Sequence, residues 1–444
     1  MENHDAMLKE KPNLEQFHHY SGGKAVGVFD SRIADYIIKN YSIFVCGIPY
    51  LYVNGVYVQD RNGTKMKQII KGLMYEQFIK LSKINQIYYL ILETEELQKT
   101  FDSLNDYPRS YINFKDCMLD AETMEKLPHD PNYYSINQVP YNYSDIEKAA
   151  NGTEIENFFG YIFSSDDDRK MLLEYAGLCL TRDTRQQRFM ILCGIGGTGK
   201  SVLIRLIEHA AGNENVSNVS MHKLNERFST SLLVGKTLNS CGDLSIEELT
   251  DSSTIKRLLG EDSIMAEFKG KDGFMFKNYS KLLFSTNTLP TVSTEHTNGF
   301  YRRLLILKMD KQPERPDPDL ADRLLDETWY FLKLSVEALH EMYQRKEITV
   351  SEKSKEAVKQ MWTDSDVVQA WLNDRCIIEA HLRTGRMEAY VNFKQYCMDE
   401  ERPALTKNAF YNALRAKNFS EGRNRNERFF IGFSVKKESQ DNGK

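Results

Sequence analysis

Residues 188–212 read RFMILCGIGGTGKSVLIRLIEHAAG, and the rest of the chain is best read outward from them. Phe189–Cys193 is an apolar run of strand length. Gly194, Gly199, Lys200 and Ser201 fill the fixed positions of G-x-x-x-x-G-K-[ST]. Val202, Leu203, Leu206 and Ile207 then recur at helical spacing, and Gly212 supplies a stop. Gly194, Gly196, Gly197 and Gly199, with Thr198 among them, let backbone amides curl around an anion without Cβ clashes. The helix opening at Lys200, Ser201 and Val202 points its positive end at the same anion. Lys200 is expected to reach the β- and γ-phosphates, and the Ser201 hydroxyl to take Mg²⁺. The pattern therefore predicts binding of ATP with Mg²⁺. A glycine-rich turn that binds nothing is the bland alternative, and the strand and helix on either side argue against it.

The chain has 444 residues, room for two or three domains. With 41% hydrophobic and 27% charged residues it has the balance of a globular protein with a core. No apolar run approaches the ~18–20 residues that cross a bilayer, so no membrane partner is expected. The start, MENHDAMLKEKPNLEQF, is polar and lacks an apolar signal core, which predicts a cytoplasmic protein. The seven cysteines are scattered without a C-x-x-C pair, and the nine histidines show no ligand spacing. Reduced thiols and no structural metal are the expectation. A net charge of −5 argues against a general polyanion binder. The basic residues are local, however, crowding the chain from Arg383 onward.

Residues 1–25 read as a loose leader. From about 30 to 144 the pattern is α+β. Ile43–Cys46 and Tyr50–Val58 read as strands, the latter folded into a hairpin at Asn54-Gly55. Lys65–Ile84 has helical periodicity, and Tyr107–Tyr143 looks like short strands and loops. Residues 145–187 read as a helical collar, with Asp166-Asp167-Asp168 at the positive end of a helix. From 188 to 345 strands and helices alternate as in an α/β nucleotide-binding sheet, closing with one long amphipathic helix, Leu320–Tyr343. Residues 350–444 read as a small module with helices Ser365–Ile378, Ala389–Asp399 and Thr406–Ala416, then a basic turn and the strand Phe429–Val435.

Hydrolysis needs more than a phosphate loop: an acid to hold the metal, a polar group to orient water, and usually an arginine on the developing charge. In KTLNSCGD, Thr237–Cys241 reads as a short strand presenting Asp243 as the metal-side acid, with Glu247 and Glu248 as possible bases. In KLLFSTNTLP, Asn287 stands at the end of a buried strand. In GFYRRLLILKM, Arg302 and Arg303 precede another. In IMAEFKGKDGFMF, two short strands flank a turn carrying Lys269 and Lys271 at its tip, suited to a DNA backbone. Each has an ordinary reading as well: a loop acid, a turn Asn before Pro290, a surface ion pair, a soluble hairpin tip.

The order of these elements resembles the superfamily 3 helicases, ring-forming ATPases of the AAA+ type, and in particular the phage and plasmid relatives of the poxvirus primase-helicase. IKRLLGEDSI, with Lys256, Gly260 and Asp262, is similar to one run of that family. Asn287-Thr288-Leu289-Pro290 and Arg302-Arg303 match two others. The resemblance implies an AAA+ P-loop core with an N-terminal α+β accessory region and a C-terminal winged-helix module. Catalytic roles then fall to Lys200, Asp243, Asn287, Arg302 and Arg303, with Mg²⁺ held by Ser201 and Asp243. One departure stands out: Leu244 occupies the place of a second acid, so that either Asp243 works with Glu247 or Glu248, or hydrolysis is slow.

In the C-terminal module, Lys407, Arg415, Arg423, Arg425 and Arg428 are the candidates for contacts to DNA, the helix reading the groove and the turn tracking phosphates. Taken together, the residues and the resemblance predict an ATP-dependent replicative helicase and origin-binding initiator of a phage, phage satellite or mobile element, working in a bacterial host. Expected partners are single- and double-stranded DNA, further copies in a hexameric ring, and a separate primase. The competing readings are a DNA-dependent ATPase that loads another helicase, and a nucleotide-gated DNA-binding switch with little turnover.

Overall fold

Five segments form one sheet in the computed structural model, which describes residues 12–242, 253–290, 298–400, 404–424 and 427–436. They are β1 (Phe189–Cys193), β2 (Val216–Ser217), β3 (Leu238–Cys241), β4 (Lys281–Thr286) and β5 (Leu304–Lys308). The order is 2-3-4-1-5, and every neighbouring pair is parallel. The first four residues of β1 and β5 and all of β4 are buried. A parallel sheet of this kind needs cover on both faces, and side-chain alternation divides the cover cleanly. Met190, Leu192, Leu283, Leu305 and Leu307 face one core, shared with Leu203, Leu206 and Ile207 and with the helices before β1 and after β5. Phe189, Ile191, Leu282, Phe284, Leu304 and Ile306 face a second, with Leu258, Phe276, Phe300 and Met361. The chain is thus a mixed α/β protein, as its alternating pattern predicts.

The helix Glu352–Ser365 covers the edge strand β5, where the Ser354 hydroxyl accepts from the Ile306 amide at 2.9 Å. An edge that would otherwise offer unpaired backbone groups is capped. The predicted helix Leu320–Tyr343 is two helices, Leu320–Asp326 and Thr328–Arg345. At the break, Glu327 accepts from the Ile155 amide at 2.9 Å and so caps the first collar helix, Thr153–Ile162. The second collar helix, Asp166–Leu178, is capped by Ser165 and carries the three aspartates in its first turn.

The N-terminal region holds a three-stranded antiparallel meander, Ile43–Cys46, Ile48–Val53 and Val56–Gln59. Asn54 and Gly55 both have positive φ, 49° and 89°, as a tight two-residue turn requires. Lys65–Ile84 is not one helix: Thr64–Gly72 and Leu81–Leu92 are separated by the turn Glu76–Phe78. The expected loose leader contains a hairpin, His18–Ser21 with Lys24–Val28.

The C-terminal residues depart further from expectation. The first helix is Val367–Arg375, and Cys376–Gly385 is a strand. Ile377 and Ile378 pair with Ser434 and Phe433 and cannot also extend a helix. Helices Arg386–Asp399 and Lys407–Ala416 follow, then strands Ser420–Arg423 and Arg428–Val435, the last of them central in an antiparallel sheet of three. Trp371 fills the core, edge-on to Phe393, Phe410 and Phe433 at centroid distances of 5.3–5.9 Å. Among the described residues no helix is long and apolar enough to cross a membrane, and no disulfide joins the seven cysteines.

Candidate nucleotide site and nucleic-acid contacts

The phosphate loop leaves the C-terminal end of β1 between two strands that fix it. The Gly194 amide donates to Thr286 O of β4 at 3.2 Å, and the Met309 amide, just past β5, donates to Cys193 O at 2.8 Å. At Gly194 a Cβ would stand 2.0 Å from Met309 O, so only glycine fits. Gly197 and Gly199 have φ of +79° and +91°, the left-handed region that turns the loop back on itself. Thr198 is buried and closes the turn by donating to Ile195 O at 3.1 Å. The helix Lys200–Ala211 follows directly.

Lys200 is buried at 7% exposure, an unusual place for an amine. Its Nζ donates to Gly194 O, to Ile195 O at 2.8 Å and to Asn287 Oδ1 at 3.0 Å. Asn287 follows the end of β4, and a turn in which Thr286 Oγ1 donates to Thr288 O holds the chain there. The structure thus brings together two residues that lie 87 apart in sequence. Ile195, Gly196, Gly197 and Ser201 are exposed and Val202 is half-buried, which leaves the mouth of the loop open to solvent. A hydroxyl at the first turn of the helix, beside the lysine, fits a Mg²⁺ ligand. β3 ends at Cys241 on the same edge of the sheet; Asp243, Glu247 and Glu248 lie outside the described residues.

Arg302 and Arg303 lie at the other end of the sheet. Leu304 pairs with Phe189 and Lys308 with Cys193. Arg303 and Arg302 thus stand about six and seven residues, or at least ~20 Å, from the start of the phosphate loop along the strand direction. An arginine side chain does not span that gap, so neither reaches the phosphate loop of its own chain. The two also differ. Arg303 is half-buried and donates to Gly299 O and to Gln187 Oε1, the latter at 3.2 Å. Arg302 is exposed. Its main-chain oxygen accepts from Arg188 Nη1, a contact no sequence signal announces.

The lysine hairpin forms as expected, Ser263–Ala266 against Phe274–Lys277, with Lys269 and Lys271 exposed at the tip. Gly270 has φ +77°, and the Lys271 amide closes the turn onto Phe268 O at 3.0 Å. Phe268 stacks on Phe274, which packs on Phe101 of the N-terminal region. Arg227 holds Glu267 through two bonds of 2.6 and 2.9 Å. The tip is therefore mounted on a rigid base. Lys256 lies in the helix Ser253–Leu259, and Gly260 ends that helix by donating to Lys256 O.

In the C-terminal module Lys407 is exposed at the start of its helix, which Thr406 caps. Arg415 is exposed but bonded: it pairs with Glu421 at 2.8 Å and donates to Asn412 Oδ1 at 2.5 Å. Arg423 and Arg428 are exposed and stand directly opposite one another on paired strands. Like charges in that position repel, and an anion beside them relieves the cost. Arg425 lies outside the described residues.

Residues 50–164 match a protein family described as "D5 N terminal like", and residues 192–303 match a family of unknown function, DUF5906. A protein of Acanthamoeba polyphaga mimivirus whose name includes the word helicase is 25% identical over 177 residues. The match covers 37% of this chain and 18% of the mimivirus protein, so the chain spans less than a fifth of that relative. The mitochondrial protein ymf21 of Marchantia polymorpha is 26% identical over 170 residues, covering 34% of this chain and 94% of that protein. Among solved structures, an apo form of the NrS-1 C-terminal region superposes with a TM-score of 0.51 at 12% identity, over 90% of this chain and 98% of that one. A second apo structure of the same region gives 0.50 at 13% identity, over 90% and 98%. The structural likeness is one of fold. The sequence matches give a D5-N-terminal-like segment and a distant similarity to a viral helicase-named protein.

Proposed function

We propose that this chain is an ATP-dependent DNA helicase and origin-binding replication initiator of a phage, phage satellite or mobile element, acting as a ring of copies. The observation that carries the reading is the seating of Lys200, held in the glycine loop within 3.0 Å of Asn287. A cation for the β/γ-phosphates and a polar group for the attacking water share one mouth. The strand order supports an AAA+ core, because β4, which leads to Asn287, lies between the strand bearing the loop and the strand leading to Asp243. The succession helix–strand–helix–helix–strand–strand over residues 367–435 supports a winged-helix module, with the Lys407–Ala416 helix at the groove and Arg423 and Arg428 on the wing. The lysine-tipped hairpin supplies a surface for one DNA strand. Mg²⁺ would be held by Ser201 and Asp243, and it would neutralise charge on the phosphates.

Arg302, remote from its own chain's loop, completes a neighbour's site, which is why the reading includes a ring. The test is hydrolysis and strand displacement on forked DNA by the purified chain, beside Lys200→Ala. Turnover stimulated by DNA, unwinding, and loss of both in the variant are expected. Hydrolysis without unwinding turns the reading to a loader of another helicase. ATP-tightened DNA binding with background turnover turns it to a switch.

A further inference from the structure

Arg188 immediately precedes β1, and Arg302 and Arg303 immediately precede β5, the strand beside it. Three guanidinium groups therefore start from one edge of the sheet, the edge opposite the phosphate loop. Arg303 is engaged by Gly299 O and Gln187 Oε1. Arg188, half-buried, sends Nη1 to the main-chain oxygen of Arg302. The Phe189 amide donates to Arg303 O at 2.9 Å, and the Arg303 amide to Phe300 O at 3.0 Å. The backbone on either side of the arginine pair is thus pinned, while the Arg302 side chain projects into solvent. Burial works against the charge on Arg188, Glu347 favours it and nearby Arg302 opposes it. Keeping a cation half-buried beside another cation is a cost that a mere surface turn does not require. A guanidinium can spend one N–H on a carbonyl and remain charged, which suits it to fixing a neighbour's backbone.

We propose that Arg188 is a positioning residue for catalysis in trans: through its bond to the Arg302 carbonyl it sets the direction in which the Arg302 side chain leaves the subunit towards a neighbouring copy's γ-phosphate. The inference rests on the in-trans reading above and adds to it a residue in a different part of the sequence. It also explains why the short segment between the collar and β1 carries an arginine that no nucleotide contact of its own chain would use.

The experiment mixes variants of the full chain. Arg188→Ala keeps its own phosphate loop but loses the support for Arg302, and Lys200→Ala keeps its arginines but loses its loop. Alone, Arg188→Ala is expected to lower kcat about tenfold, the scale of one lost charge-assisted hydrogen bond, with affinity for a fluorescent ATP analogue unchanged. Mixed with Lys200→Ala, it should recover turnover above the sum of the two, because Lys200→Ala subunits supply intact arginines to Arg188→Ala pockets. Arg188→Lys, which can still donate to the carbonyl, should retain most of the wild-type kcat, and its melting curve separates positioning from loss of fold.

A mixture no more active than its parts overturns the inference, as does an Arg188→Ala variant that changes ATP affinity instead of kcat. Arg302→Ala serves as the reference. Loss of turnover in Arg302→Ala with none in Arg188→Ala removes this inference alone. Full turnover in both removes the in-trans reading beneath it, while Lys200→Ala still reports whether ATP is hydrolysed at the loop.

Discussion

The most telling single substitution is Gly194→Ala. A Cβ at that position would lie 2.0 Å from Met309 O and 2.9 Å from Met309 C, both backbone atoms. Ordinary contact begins at 3.4 Å, so the loop and the chain leaving β5 must part by more than ~1 Å, an overpacking strain. Neither side yields easily. The Gly194 amide is tied to Thr286 O, and the Met309 amide to Cys193 O. Overpacking of this degree costs about 1–3 kcal/mol, which in a domain of ordinary size lowers the melting temperature by about 2–4 °C per kcal/mol. The functional effect should be larger, since a ~1 Å misplacement of a catalytic group costs about a hundredfold in rate. Gly196→Ala is the control, with nothing within 4 Å of its Cβ and no positive φ. The assay is thermal melting with and without ATP and Mg²⁺, together with turnover. Gly194→Ala should melt earlier, gain less from nucleotide and hydrolyse about a hundredfold more slowly, while Gly196→Ala melts as wild type in the absence of nucleotide. Equal melting curves and equal turnover for Gly194→Ala and wild type would refute the steric argument.

Arg302→Ala should reduce kcat by about 10³-fold or more with nucleotide binding intact, whereas Arg303→Ala, which loses the bonds to Gly299 and Gln187, should lower stability first; the two are read by turnover and by urea melts. Lys269→Ala with Lys271→Ala should leave basal hydrolysis in place, abolish unwinding and make the salt dependence of single-strand binding shallower by about two contacts, measured by titration at several salt concentrations. Lys281, buried at the start of β4 with its amine on Thr181 O and Tyr279 O, has its pKa lowered by burial from 10.5 to about 8. Between those values the unfolded lysine keeps a proton the folded one has lost, so this residue's contribution to stability rises with pH. Relative to Lys281→Met, the wild type should therefore gain stability from pH 8 to 10.5 in urea titrations; a flat or falling difference would contradict the burial argument.

What could be read from sequence was what local residues decide. The phosphate loop is specified by consecutive positions, Asn54-Gly55 by the sign of φ a tight turn needs, and the lysine hairpin by two short apolar runs around glycines. What could not be read was set by distant pairing. The order 2-3-4-1-5 depends on contacts between strands up to 115 residues apart, such as Leu304 with Phe189, which no local pattern encodes. Cys376–Gly385 was hidden because Cys376, Ile377 and Ile378 continue the apolar spacing of the preceding helix, and only pairing with Phe433 and Ser434 makes them a strand. The break at Glu327 carries no proline or glycine; it exists because that carboxylate caps a helix 172 residues earlier. Arg415 was grouped with the DNA contacts for its charge, yet Glu421, six residues on, holds it at 2.8 Å. The Arg188 bond to Arg302 crosses 114 residues, and without the sheet the two arginines have no reason to be considered together.

The parallel sheet itself accounts for the division of labour. In a parallel sheet all strands end on one edge and begin on the other, so groups that follow strands cannot meet groups that precede them within one chain. Lys200 and Asn287 follow β1 and β4, whereas Arg188, Arg302 and Arg303 precede β1 and β5. The chain then presents a phosphate loop on one edge and an arginine on the other, with the strands between them. A contact between such unlike ends of two copies is head to tail. Repeated head-to-tail pairing closes into a ring when the rotation per copy allows, and a twofold dimer cannot satisfy it. The proposed ring would bring the arginine edge of one copy to the phosphate loop of the next. It would lose its basis if the arginine edge were found to be dispensable for hydrolysis.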